Sequence, residues 1–409
     1  MRSPVQSWSR APVVKGQVRI MSKEVNISIL GHVDHGKSSL LAAISNSFSK
    51  VGIAPLISYE QIDLAAIGSD EGLKLNRAQI KISGEGKDFV VSDYPSHQDF
   101  IKSLISSAHI DGILLVVSAA DGPMPQTREH LGLARKLGVE KIAVLINKID
   151  MVSKSLQDMV VNEVKQLLKD VGFECSVCPI IYGSALQARK CGCGKKECPN
   201  CGFLFEILNS FESYFSSQGK TQEKETLYVI SESSDTPFGM MLAKGSFVSG
   251  RLAKDDTLSV LTSNGIKKAK IKGLEVDGEP KDEASNGGSV SIYLEGVSAK
   301  EVERGTPLYK DGSKNVKKSF NSLVYVFRKE EDGRDNPLPK KSNLSVSIFG
   351  KQIDAKVELP KDRESVVPGD SSFVLISLNQ EFFLKKGYSF YLVENGKNIG
   401  IGKIIEVGE

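Results

Sequence analysis

No threonine occurs before Thr127, no cysteine lies outside residues 175–201, and no acid falls among the first 20 residues. Nor does any apolar run approach the roughly 18 to 20 residues of a membrane-spanning helix, which excludes a helical anchor. The first 20 residues also lack the apolar centre of a secretory signal, which points to an intracellular, cytoplasmic protein. Arg2, Arg10, Lys15 and Arg19, with no acid beside them, have the look of an organellar transit peptide; a disordered basic tail over residues 1–24, or a mis-assigned start upstream of Met21, is the simpler account. A net charge of only +3 argues against wholesale coating of nucleic acid and leaves local basic patches as the alternative. Six cysteines confined to residues 175–201 of an intracellular chain suggest a metal before they suggest disulfides.

What is present is an ordinary soluble composition, 40% hydrophobic and 25% charged, on a chain of 409 residues. At about 100 to 200 residues per domain that length predicts two to four domains. From Val25 apolar runs alternate with amphipathic stretches: strands at VNISIL, AQIKIS, DFVVSD, DGILLVVSAA and KIAVLINKID, helices at KSSLLAAISNSF, TREHLGLARKLG and SLQDMVVNEVKQLLKDVG, the last ending at Gly172, and a further strand at CPIIYGSAL. Continuous apolar strands between helices predict a mostly parallel, doubly wound sheet covered on both faces. After about Thr221 helical periodicity fades, and short runs such as TLYVI, TLSVL, SVSIYL, SLVYVF and SFVLISL are divided by Gly, Asp, Asn and Pro. The expected class is therefore α/β plus all-β: a domain over 25–222, then two small β-barrels over 223–316 and 317–409.

The stretch GHVDHGKSS supplies Gly31, His32, Val33, Asp34, His35, Gly36, Lys37, Ser38 and Ser39 between a strand and a helix, the context a P-loop needs. Its backbone N–H groups and the helix N-terminus can hold phosphates, Lys37 can reach the β- and γ-phosphates, and Ser38 can ligate Mg²⁺. Asn147, Lys148 and Asp150 of NKID close a strand at the end where a parallel sheet presents ligand-binding residues. Asp150 can accept two hydrogen bonds from guanine, where adenine would offer a lone pair; Asn147 would brace the loops and the Lys148 stem would cover the base. Ser184, Ala185 and Leu186 of GSAL end the next strand and offer backbone N–H groups to the guanine oxygen.

GHVDHGKS, DGPMPQTREH, NKID and GSAL, in this order, resemble bacterial elongation factor Tu, the translational GTPase that carries aminoacyl-tRNA to the ribosome. EVERGTPLYK, VYVFRKEEDGRDNPL, VELP, VPGD and ENGKNIGIG in the β-rich remainder are similar as well, so the likeness covers roughly residues 25 to 409. The resemblance implies GTP and GDP as ligands, Asp93 as the Mg²⁺-side aspartate, His97 as the residue that positions the attacking water beside Lys37, and Val33 as part of an apolar gate around that histidine. It implies ribosome and tRNA as partners, a monomer, and an exchange factor that would meet Gln126 and His130.

The chain also departs from that pattern. The family's first mobile loop carries a threonine on Mg²⁺ and the γ-phosphate; here LKLNRAQIKIS puts Ala78 or Gln79 in its place, so one metal ligand and one γ-phosphate sensor are missing. Ser96 stands where glycine is expected, and a conformation with φ > 0 would cost a residue bearing Cβ on the order of 1 to 2 kcal/mol. SHQD, however, reads as a capping box with Ser96 as N-cap and Asp99 three residues on, pinning a helix start. The hairpin GMMLAKGSFVSG and the strand PKKSNLSVSIFG replace the family's tRNA-facing segments, leaving Lys340 and Lys341 as the candidate phosphate contacts. The expectation is a slow GTPase; the alternative is a guanine-nucleotide-binding scaffold or regulator that does not switch.

Cys191, Cys193, Cys198 and Cys201 are spaced C-x-C-x₄-C-x₂-C within the loop 189–203, which suits a closed tetrahedral Zn²⁺ site of structural type. Arg189, Lys190, Lys195 and Lys196 can offset its net −2 charge. Reduced thiols without metal, or a site borrowing Cys175 and Cys178, are the rivals.

Overall fold

The computed structural model describes residues 24–59, 66–70, 73–94, 96–106, 110–215, 225–262, 264–285, 289–310 and 315–408, with the side chains of residues 66–70, 73–76 and 97 outside that description. Of the expected basic tail only Glu24 is described; the segments expected to join the domains fall mainly within 216–224 and 311–314, also outside it. None of the described helices is long and apolar enough to cross a membrane.

The first unit is a seven-stranded sheet with helices on both faces. Its strands are β1 (Glu24–Leu30), β2 (Ala66–Asp70), β3 (Leu73–Ser83), β4 (Asp88–Asp93), β5 (Gly112–Ser118), β6 (Lys141–Asn147) and β7 (Ile180–Tyr182), arranged β2-β3-β4-β1-β5-β6-β7. β4, β1, β5, β6 and β7 run parallel, and every residue of GILLVVS in β5 is buried, as a central strand covered on both sides must be. The departure from an all-parallel sheet lies at one edge. β3 pairs antiparallel with β4 and β2 antiparallel with β3, so AQIKIS is a strand as expected, and the segment that takes the place of the family's first mobile loop extends the sheet as a hairpin.

The helices are α1 (Lys37–Lys50), α2 (His97–Ile105), α3 (Pro125–Lys136), α4 (Lys154–Val171), α5 (Ala185–Cys191) and α6 (Gly202–Ser210). α4 stops at Gly172, whose φ of 92 gives the left-handed cap that ends a helix. CPIIYGSAL is not one strand. After only three strand residues the Ser184 hydroxyl accepts the Gln187 N–H and starts α5, while Gly183 leaves room for the Phe203 ring, 2.4 Å from where a Cβ would sit. Periodicity could not separate so short a strand from the helix behind it.

Two closed six-stranded barrels follow. In the first, strands Thr257–Thr262, Pro307–Lys310, Leu227–Asp235, Met241–Ser249, Val290–Glu295 and Gly265–Val276 succeed one another, and Thr257–Thr262 pairs with Gly265–Val276 to close the ring. In the second the order is Val316–Val326, Ser371–Phe383, Lys351–Glu358, Lys341–Ile348, Ser389–Glu394 and Lys397–Val407, closed by pairing of the first with the last.

Candidate nucleotide site and cysteine cluster

The turn between β1 and α1 is shaped by close approach. A Cβ on Gly31 would lie 2.3 Å from the Val116 carbonyl oxygen, and one on Gly36, at φ 91, would lie 2.4 Å from Asn147 Nδ2. Only glycine permits the loop to lie this deep over β5 and β6. Lys37 Nζ donates to the carbonyls of Gly31 (3.1 Å) and His32 (3.0 Å), folding the ammonium back over its own loop; burial lowers its pKa. His32 and His35 pack ring against ring, and burial pushes His35 down to about 4, so it is neutral at physiological pH. Val33 and Asp34 are exposed on the loop's outer side, Asp34 at φ 67, and Ser39 is half-buried in the first turn of α1.

Asp93, the last residue of β4, faces this loop. Its Oδ2 accepts from the Ser38 hydroxyl at 3.3 Å, while its Oδ1 is buried with no hydrogen-bond partner. Burial raises its pKa, with Lys37 opposing that effect. A buried carboxylate oxygen left without a partner beside a serine hydroxyl is the kind of donor set that Mg²⁺, an oxygen-seeking cation, would complete.

The loops on the other side of the sheet are tied together by Asn147. Its Nδ2 donates to the His35 carbonyl (2.7 Å) and its Oδ1 accepts the Ala185 N–H (2.9 Å), joining the P-loop-like turn to the start of α5. Lys148 turns through φ 60 and its Nζ lies 3.7 Å from Asp121. Asp150 is exposed; the Ser184 hydroxyl holds its carboxyl below the ordinary range, and Gln187 Nε2 donates to it at 3.5 Å. Ala185 is buried and Leu186 is exposed beside it.

The opposite edge departs from the expectations. Ala78 pairs in register with Asp93 and Gln79 with Ser92, whose hydroxyl takes the Gln79 amide at 3.4 Å. Neither side chain supplies the missing hydroxyl to the Asp93 site. Ser96 adopts φ −118 and ψ 156, extended backbone open to any residue, so the expected strain of a positive φ does not arise. Its Oγ accepts the Asp99 N–H (3.1 Å) and donates to the Asp99 carboxylate, capping α2. His97 is the first residue of that helix; its side chain lies outside the described residues. A cavity of about 50 Å³ gathers Val33, Lys37, Ser96, Gln126 and His130 around the loop, and His130 is buried with its ring 5.1 Å from that of Phe100.

Sequence reasoning missed how α2 is held. Ile101 and Ile105 enter a cluster with Leu323, Tyr325, Phe327 and Ile401 of the last barrel. Lys102 forms an ion pair with Glu331, which also accepts from the Tyr325 hydroxyl at 2.9 Å. The helix's closing carbonyls are taken by Lys403 Nζ (Leu104, 2.8 Å) and the Ser389 hydroxyl (Ile105, 2.7 Å). Burial lowers Lys403 to about 8. These partners are separated from α2 by more than 200 residues of sequence, and only its start, at the SHQD cap, was signalled locally.

The four cysteines converge at the far end of α1 and α5. Their sulfurs all lie within 4.8 Å of one another, with Cys191 and Cys198 at 3.7 Å; Cys201 is buried, Cys193 and Cys198 half-buried, and Cys191 exposed. Cys175 and Cys178 stand apart in the loop before β7. The Asn200 N–H holds the Cys198 thiol down to about 7, while neighbouring thiols push Cys191 up to about 12.

A glycine-rich turn between the first strand and first helix of a doubly wound sheet, with its lysine, its strand-end aspartate and an NKxD turn, defines the P-loop nucleotide-binding class. Residues 22–217 match the family described as Elongation factor Tu GTP binding domain, and residues 313–408 match Elongation factor Tu C-terminal domain. The chain belongs to the elongation factor Tu-like translational GTPases, a family for which GTP hydrolysis and the ligands GTP, GDP and Mg²⁺ are expected.

Proposed function

We propose that this chain binds guanine nucleotides through residues 31–39, Asp93, Ser96, Asn147, Lys148, Asp150 and 184–186, and hydrolyses GTP slowly with a blunted switch. The observation that carries the reading is Asn147, which joins the phosphate-side and base-side loops with two buried hydrogen bonds. Asp150, kept ionised beside Ser184, would select guanine by accepting its two N–H groups. Ser38 and Asp93 would hold Mg²⁺, which when bound supplies positive charge against the β- and γ-phosphates. Lys37 would leave its carbonyl partners for the phosphates, and the loop N–H groups would stabilise charge as it develops. His97, by its family position, would orient the attacking water.

The blunted switch follows from α2. Ser96 caps one end, Lys403 and Ser389 close the other, and the Lys102–Glu331 pair fixes the middle. A ligand shifts two states only by its differential affinity for them, and a helix anchored in three places without a switch threonine has little to sense. The same anchoring supports the second reading, a guanine-nucleotide-binding regulator that does not cycle. Ribosome binding is proposed on family grounds, as are a cytoplasmic monomer and a nucleotide exchange factor; because His130 is buried, such a factor would engage Gln126 first. Aminoacyl-tRNA binding should be weak, a point for filter binding at near-physiological salt. GTP hydrolysis measured with and without ribosomes tests the main reading: ribosome-stimulated turnover supports it, and no turnover under either condition overturns it in favour of the regulator.

A further inference from the structure

We propose that Cys191, Cys193, Cys198 and Cys201 hold one Zn²⁺, and that this metal fixes the base side of the nucleotide site through α5. A tetrahedral tetrathiolate with Zn–S of about 2.3 Å places its sulfurs about 3.8 Å apart. The cluster lies close to that condition, with 3.7 Å between Cys191 and Cys198 and no pair beyond 4.8 Å, so small side-chain adjustments bring all four sulfurs onto one ion. The surrounding loop is built to present thiolates. Gly192 and Gly194 turn through φ of 51 and 67, Gly202 N–H donates to the Cys198 carbonyl at 2.8 Å, and the Ser47 hydroxyl lies 3.8 Å from Cys201 Sγ as a donor to it.

What makes the site more than a local clip is its attachment to two helices that lead into the nucleotide site. The loop lies against the end of α1, where a Cβ on Gly194 would meet the Ser47 carbonyl at 2.7 Å and Lys50 Cβ at 2.9 Å. α1 begins at Lys37 and Ser38. α5 begins at the Ser184 cap, whose first N–H binds Asn147 and whose Gln187 reaches Asp150, and it ends at Cys191 itself. A helix of this length is marginal in isolation, so its far end must be held for the near end to keep its place. Metal at Cys191 would hold it, and loss of metal would loosen Ser184, Ala185 and Gln187 under the base. Linkage requires the reverse as well: GDP would raise zinc affinity by the factor by which zinc raises GDP affinity.

This inference rests on the guanine-site reading, and the test separates the two. The full chain, purified under reducing conditions, is analysed for metal by native mass spectrometry, then titrated with GDP before and after zinc removal by a chelator, with Cys198→Ser and a Cys175→Ser, Cys178→Ser double variant in parallel. One zinc per chain is expected in the parent and the double variant and none in Cys198→Ser, with GDP affinity falling about tenfold without zinc, within the usual range for coupled sites. No zinc, or a disulfide within the cluster, would overturn the metal site. Zinc present but GDP affinity unchanged on its removal would overturn the coupling. A zinc-loaded chain that binds no GDP would sink the coupling together with the guanine reading, leaving a metal site of purely local role.

Discussion

Glu331→Ala should release α2 from the last barrel without unfolding either. The Glu331 carboxylate pairs with Lys102 and accepts from the Arg328 N–H and the Tyr325 hydroxyl. Although burial works against its charge, the Arg328 N–H and Lys102 hold its pKa below the ordinary value. Both side chains are largely sequestered, 8% and 14% exposed, so solvent screens the pair little. Removing one partner leaves the Lys102 ammonium buried without its counter-charge, which costs on the order of 3 to 5 kcal/mol. The apolar contacts of Ile101 and Ile105 remain, so the loss should appear as more frequent local opening: roughly 100- to 5,000-fold faster hydrogen exchange across residues 98–105, with exchange in β5 and β6 unchanged. Replacing both partners, Lys102→Met with Glu331→Leu, should restore protection to within a few-fold, because an apolar pair of similar volume carries no unpaired charge. Exchange in Glu331→Ala within threefold of the parent would refute the claim that this ion pair anchors the helix.

Other expectations follow from the same contacts. Lys403 has its pKa lowered by burial to about 8, so the docked state binds fewer protons than the open one between about pH 8 and 10.5. Docking should therefore strengthen as pH rises through that window, by about 3 kcal/mol at most, and Lys403→Met should flatten the dependence of exchange on pH after correction for intrinsic rates. Asp150→Asn should weaken GDP binding at least about 100-fold and admit xanthosine nucleotides, as read by competitive titration; equal ATP and GTP affinity in the parent would end the guanine assignment. Ser96→Gly removes the cap of α2 and, although a glycine cap itself costs only a few tenths of a kcal/mol, should widen any difference in exchange between nucleotide states by freeing the backbone at residues 94–97.

The central strands were legible because buried parallel strands read as unbroken apolar runs: DFVVSD is β4 residue for residue, and DGILLVVSAA overruns β5 by only a few. The glycine turn with its Lys37 and the NKID turn were legible because their residue types are dictated by close approach and charge, and these needs survive in a single sequence; Asp93 was reached only through the resemblance to the family. Less could be read where pairing across the chain decides. AQIKIS was read correctly as a strand, but that it would run antiparallel at one edge of the sheet, with Gln79 bonded to Ser92, depends on β3 finding β4, which the run itself does not disclose. Ser96 was read correctly as a cap and incorrectly as a source of strain, because the cap geometry itself sets φ near −118. The anchoring of α2 could not be read at all, since Lys403 and Glu331 acquire their meaning only when the last barrel is seated.

The central claim is that α2 in this GTPase does not report which nucleotide is bound. Hydrogen exchange over residues 96–105, measured on the zinc-loaded protein with GDP and with a non-hydrolysable GTP analogue, tests it most directly. The account predicts protection factors in the two states that agree within about twofold, since little differential affinity remains to shift them. A tenfold or larger difference in the parent protein would contradict it and return the chain to the ordinary switching behaviour of its family.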